Sequence, residues 1–398
     1  MTTKSRVVCL GAHMVQAIFT QGFRPFFLAA GLWSAVALSL WIVMLTTGIA
    51  LPSRFDPLTW HIHEMLFGFA MAAIAGFMLT AIPNWTHRLP VSGGPLALLA
   101  GLWLLGRIAC LVSALLPSWT AAATDLSFPV VLTAVAAREI IAGRNWRNIP
   151  ILVPICILGI ANLLMHLQAG GIGVPLGLGW RLGLAAVVIL VSIMAGRLVP
   201  SFTRNWLAKR QAADLPAIHG WIDRAALGTL HAGLIGWAFL PDFRPIGLLL
   251  CLGAALNLWR LLRWRGAATT AEPLLLVLHV GYAWLVLGAA TLGLEVLGIN
   301  VPLSAAIHTL TVGAIGTMIL AVMTRAIRGH TGRELSADRV TRLIYVLVAL
   351  AAITRIAATV GAAWTMALLI VSACFWIAAF VTFVLSYGPM LIVPRSSR

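Results

Sequence analysis

The 398 residues are 61% hydrophobic and 10% charged, with a mean hydropathy of +0.99, against roughly 25% charged residues in a soluble domain. A water-soluble globular protein is therefore excluded, and apolar runs of about 20 residues, rich in Leu, Ala, Val and Trp, point to an all-α polytopic membrane protein. The formal charge of +16 does not mark a nucleic-acid surface, because no basic segment combines length with solvent-facing aromatics.

Twelve transmembrane helices are predicted, near 23–48, 60–83, 93–116, 120–142, 149–169, 179–201, 221–240, 245–264, 273–297, 302–327, 339–360 and 363–390. The first twenty residues lack an apolar core followed by a small-residue cleavage site, so no removable signal peptide is expected. Lys4, Arg6, Arg88, Arg144, Arg147, Arg204, Lys209, Arg210, Arg263, Arg265, Arg328, Arg333, Arg339 and Arg342 fall in the N-terminus or after even-numbered helices, whereas the opposite loops hold Arg54, Arg181 and Arg244. By the positive-inside rule both termini are cytoplasmic. Five cysteines, Cys9, Cys110, Cys156, Cys251 and Cys374, have no metal-type spacing and read as packed or free thiols. The basic loop 325–335 suits anionic lipid, and the tryptophans near helix ends suit an interfacial belt.

An internal repeat organises the single membrane domain. Residues 63–88 and 308–333 both open on a histidine and carry a glycine five residues on; Met78 then pairs with Met323, Ala81-Ile82 with Ala326-Ile327, Thr86 with Thr331, and Arg88 with Arg333. Helix 6 closes similarly, and Arg107 in helix 3 has a counterpart in Arg355 of helix 11. The unit is four helices used three times, over 1–147, 148–268 and 269–398.

Ionisable groups inside a bilayer need a partner or a purpose. Helices 2 and 10 enter from the outer side, which puts His61, His63, Glu64 and His308 near the outer edge; Arg107 and Arg355 lie at a similar depth. Imidazoles that ligate iron and arginines that hold propionates suit a haem. His61 and His63 stand about 200° apart around a helix and cannot share one metal unless the helix start unwinds. His63 and His308, matched by the repeat, are the favoured axial ligands, with Arg107 and Arg355 on the propionates. His61 with Glu64 is then a second site or supports the first. His166, at the outer end of helix 5, is a candidate copper ligand, with packing the plainer reading. His231 reads as structural, and His279 with Tyr282 as a packed pair or part of a proton path.

The segments "GFRPFFL" at 22–28, "WHIHEMLFGFA" at 60–70, "GFMLTAIPNWT" at 76–86, "NLLMHL" at 162–167, "LHVGYAWL" at 278–285 and "HTLTVGAIGTMILAVMTRAIRGHTGR" at 308–333 together resemble the NnrS family over nearly the whole chain. The resemblance implies a bacterial inner-membrane protein of twelve helices, with b-type haem and copper, that acts against nitric oxide and nitrosative stress. More distantly the chain is similar to haem–copper oxidase catalytic subunits, with their three four-helix arcs and haem histidines on helices 2 and 10. It departs from them in having one histidine on helix 10 and only His231 on helices 6 and 7. Nitric oxide or a related small molecule is the expected partner, besides the lipid bilayer. A transporter of metal, haem or small solute, and an assembly factor that delivers haem or copper, are the rival readings; whether the chain is an enzyme stays open.

Overall fold

The computed structural model describes residues 17–217 and 220–393. Lys4, Arg6, Cys9 and the expectation of no signal peptide lie outside the described residues.

The described residues form helices and no strand. In chain order the long helices are α1 (Phe23–Thr47), α2 (Pro57–Thr86), α3 (Gly94–Leu111), α4 (Thr120–Ala142), α5 (Trp146–Ala169), α6 (Leu178–Ala208), α7 (Trp221–Phe239), α8 (Arg244–Leu262), α9 (Pro273–Val296), α10 (Leu303–His330), α11 (Arg339–Ala357) and α12 (Thr365–Ile392). Eleven of them are long and apolar enough to cross a membrane. α7 is less apolar because it carries Asp223, Arg224 and His231.

The helix ends follow local chemistry. Gly48, with φ of +73°, takes the left-handed conformation that ends α1. Asp56 caps α2 by accepting from the amides of Leu58 and Thr59 at 3.0 and 3.1 Å, and Pro57 needs no amide partner at the first helical position. That pair starts α2 three residues before the apolar run itself begins at Trp60.

α2 and α10 share a feature that periodicity does not reveal. In each, the α-helix gives way to a π-helical stretch directly after its histidine: Glu64–Ala70 follows His63 and Thr309–Gly316 follows His308. A π-helical stretch widens the backbone and re-aims the side chains around it, and such stretches concentrate at functional sites.

Two compact units make up the fold. The first runs up to Trp180 and includes Ala326–Glu334 and the chain from Phe380; the second comprises Arg181–Arg325 and Leu335–Ala379. Within the first unit, Phe23, Phe26 and Phe27 of α1 are fully buried, and Gly76 lets α2 approach the Phe27 ring and the Phe26 Cβ. α3 shows how the helices meet lipid. Arg107 is 1% exposed, while Leu105 and Ile108 on the same helix are 55% and 49% exposed. A charge inside and aliphatic side chains outside invert the soluble pattern, as expected where the surroundings are hydrocarbon.

Candidate metal centre

Four helices of the first unit bring their polar residues to one place. α2 contributes His63 and Glu64, α3 Arg107 and Cys110, α4 Asp125, and α5 Asn162 and His166. Asn162 and His166 are four residues apart and Arg107 and Cys110 three, so each pair shares a helix face. All seven are buried.

Glu64 anchors one side. Its carboxylate accepts from the Arg107 guanidinium at 2.9 and 3.0 Å, from the Trp33 indole at 2.8 Å and from His63 Nδ1 at 3.0 Å. Arg107 also donates to Asp125 Oδ1, and the other Asp125 oxygen accepts from the Asn162 amide at 2.8 Å. His166 Nε2 lies 3.0 Å from the same Asp125 Oδ2. Two glycines make room. A Cβ at Gly106 would meet Asp125 Oδ1 at 2.8 Å, and one at Gly68 would meet the Trp33 indole that reaches Glu64. The Gly68 carbonyl in turn accepts from Trp103 at 3.0 Å.

A neutral His63 ring has one proton, and both of its nitrogens face acceptors. With that proton on Nδ1, toward Glu64, Nε2 keeps a lone pair. That nitrogen faces Asn162 Oδ1 at 2.9 Å and Asp125 Oδ2 at 3.2 Å, both acceptors, since the Asn162 amide hydrogens point to Asp125. With His63 neutral, two carboxylates against one guanidinium leave a formal negative charge in excess. Lone pairs that converge without enough protons, in a dry and negative place, are the electrostatics of a cation site.

The donor set fits a metal ion. One ligand atom each from His63, Cys110, Asp125 and His166 lie within 4.8 Å of one another, all buried. Metal bonds of about 2.0–2.3 Å in a tetrahedron put neighbouring ligand atoms about 3.3–3.8 Å apart. The 3.0 and 3.2 Å separations from Asp125 Oδ2 to the two imidazoles lie close to that. Two imidazoles, a thiol and a carboxylate suit copper, zinc or iron rather than magnesium or calcium.

The model of the family described as NnrS protein matches residues 17–395. The chain belongs to the NnrS family. No curated protein matches it.

In this NnrS-family chain the other residues singled out from sequence lie outside the cluster. His61 is half-buried and stacks on Trp41 with ring centroids 4.3 Å apart. His308 and Arg355 belong to the second unit and meet at Ser304. The His308 Nδ1–H donates to the Ser304 carbonyl at 2.7 Å, and Arg355 donates to the Ser304 hydroxyl at 3.2 Å. His231 bonds Ser192 at 2.8 Å, and His279 bonds Thr203 at 2.9 Å. Tyr282 joins a separate buried set: it accepts from Arg260 at 2.7 Å and donates to Asn257 at 2.5 Å, while Arg260 pairs with Asp223 at 2.8 Å.

Sequence reasoning passed over Asp125 and Asn162 and took Cys110 for a packed or free thiol. Asp125 carried a usable signal, because a lone carboxylate within an apolar span requires a partner. Cys110 carried none, since its partners come from other helices.

Proposed function

We propose that this protein acts at the bacterial inner membrane in the response to nitric oxide, and that it holds a compact metal ion, copper foremost, between His63, Cys110, Asp125 and His166. The observation that carries the reading is the convergence of imidazole, carboxylate and amide lone pairs on His63 Nε2 in a fully buried place. Glu64 fixes the His63 tautomer and ring, as carboxylates do for metal-ligating histidines. Arg107 bridges Glu64 and Asp125, limits the negative charge and holds both carboxylates in place. Bound copper or iron would supply one-electron chemistry and a coordination position for a small ligand.

A b-type haem belongs to the same proposal through the second unit. The Nδ1–H bond from His308 to the Ser304 carbonyl leaves the Nε2 lone pair for iron, and Arg355 beside it suits a propionate. A compact ion on His63 Nε2 keeps Asp125 beside it as a fellow ligand, whereas pairing His63 with His308 on one iron gives that carboxylate up, so the immediate contacts of His63 favour the compact ion. The π-helical stretch after each histidine supports the repeat over 1–147, 148–268 and 269–398, and the distribution of basic residues supports cytoplasmic termini.

The test is metal and haem content per chain after purification in detergent, with oxidised and reduced spectra, for the wild type and for His166→Ala and His308→Ala. The expected result is near-stoichiometric metal that His166→Ala removes, and haem bands that only His308→Ala removes. Well-folded wild-type protein with neither would overturn the proposal and favour a transporter. Haem or copper far below one per chain, lost on washing, would favour an assembly factor.

A further inference from the structure

A cavity of about 330 Å³ lies beside the cluster, between the end of α1, the loop that follows it and the first turn of α2. Its walls are graded. Ala50, Arg54, Asp56 and Pro57 are exposed at the mouth, whereas Met44, Phe55 and Trp60 are buried at the floor. The two rim charges are already engaged: Arg54 donates to the carbonyls of Ser113 and Leu116 at 3.0 and 3.1 Å, and Asp56 caps α2. They frame the opening rather than bind a ligand.

Phe55 belongs both to this cavity and to the centre. Its ring stacks on His63 with centroids 4.7 Å apart and lies 5.2 Å from the His166 ring. One aromatic side chain therefore separates the floor of the cavity from two of the four metal donors. Its backbone is held firmly. Ser53 donates to the Cys110 carbonyl at 2.9 Å, the Arg54 amide to Ser113 Oγ at 2.8 Å, and the Ala114 amide to the Pro52 carbonyl at 3.0 Å. The strap ties the loop to the end of α3, so movement at this point falls to the side chain of Phe55. The Trp60 indole N–H, 1% exposed and in the same wall, has no acceptor among the described residues.

We propose that this cavity is the entry vestibule of the centre, that Phe55 is its gate, and that it admits small uncharged molecules. An anion is disfavoured twice, by the apolar floor of Met44, Phe55 and Trp60 and by the excess negative charge beyond it. The proposal deepens the metal-centre reading and rests on it for the ligand's destination.

Cys110 provides a reporter that needs no metal. The experiment uses metal-stripped full-length protein in which Cys9, Cys156, Cys251 and Cys374 are replaced by Ser, and follows modification of Cys110 by mass spectrometry. The probes are neutral methyl methanethiosulfonate and its anionic sulfonatoethyl analogue. Phe55→Ala is expected to speed the neutral reagent by about tenfold or more, the effect of a modestly lowered barrier, and Phe55→Trp to slow it; the anionic reagent lags throughout. Phe67→Ala is the control, because Phe67 also packs on the His63 ring, at 5.0 Å, but does not line the cavity. Rates that ignore Phe55, or that rise equally in Phe67→Ala, would overturn the vestibule. Metal content, measured on the unstripped wild type, separates the two readings. Metal without a Phe55 effect sinks the vestibule alone, and a Phe55 effect in a protein that binds no metal sinks the centre and the ligand's destination while leaving an access path to Cys110.

Discussion

Asp125 has more to do than any other side chain in the cluster. It pairs with Arg107, accepts from Asn162 and faces both imidazoles. Removing one partner of a buried ion pair costs about 3–5 kcal/mol when the other charge is stranded. Arg107 keeps Glu64, so Asp125→Asn is expected at the lower edge of that range, as a fall in melting temperature in detergent together with loss of metal. Gly106→Ala separates the two effects. The added methyl would press on Asp125 Oδ1 and Cα at 2.8 and 3.0 Å, and overpacking of this kind costs about 1–3 kcal/mol. Metal per chain should fall while both carboxylates remain; unchanged metal content would argue against Asp125 as a ligand. At this scale His63, Glu64, Arg107 and His166 were legible because a polar group in an apolar span stands out. Asn162 and Cys110 were not, because amides and thiols occur in such spans for packing alone.

Among the elements, α2 carries the clearest test. Its π-helical stretch begins at Glu64, just where Glu64 turns to Arg107 and His63 to Asn162. A π-helical stretch accommodates an extra residue, so deletion of Met65 is expected to restore α-helical pairing and rotate His63 by about 100° against the rest of α2. Helix content by circular dichroism should hold while metal binding is lost. Retained metal would show that the widened turn is not what aims the histidine. The helical spans themselves were readable from hydropathy, and α1 to α12 lie close to their predicted places. The π-helical stretches were not, since widening depends on hydrogen bonds that neighbouring helices favour, and no residue type marks them.

On the scale of the molecule, the two units each hold a buried polar set. In the second unit Tyr282 bridges Arg260 and Asn257 at 2.7 and 2.5 Å. Tyr282→Phe leaves both groups short of a partner and is expected to destabilise by about 1–3 kcal/mol. Metal content should be unchanged, because none of the four candidate donors lies in that unit; lower metal content would contradict this separation. Topology is tested in whole cells: cysteines placed at Arg88 and Arg144 should resist a membrane-impermeant maleimide, and one placed at Arg244 should react.

Sequence alone determined the class of the molecule, its helical spans and the NnrS family to which it belongs. The class and the spans rest on the cost of exposing peptide groups and charges to hydrocarbon, which every stretch of about 20 residues must meet locally, and the family rests on the motifs themselves. Only the tertiary structure decided that Asp125, Asn162 and Cys110 join His63 and His166, and that Phe55 lies against both imidazoles. A binding centre is a convergence of side chains from separate helices, set by packing and by the pairing of buried charge, and spacing along the chain does not record it.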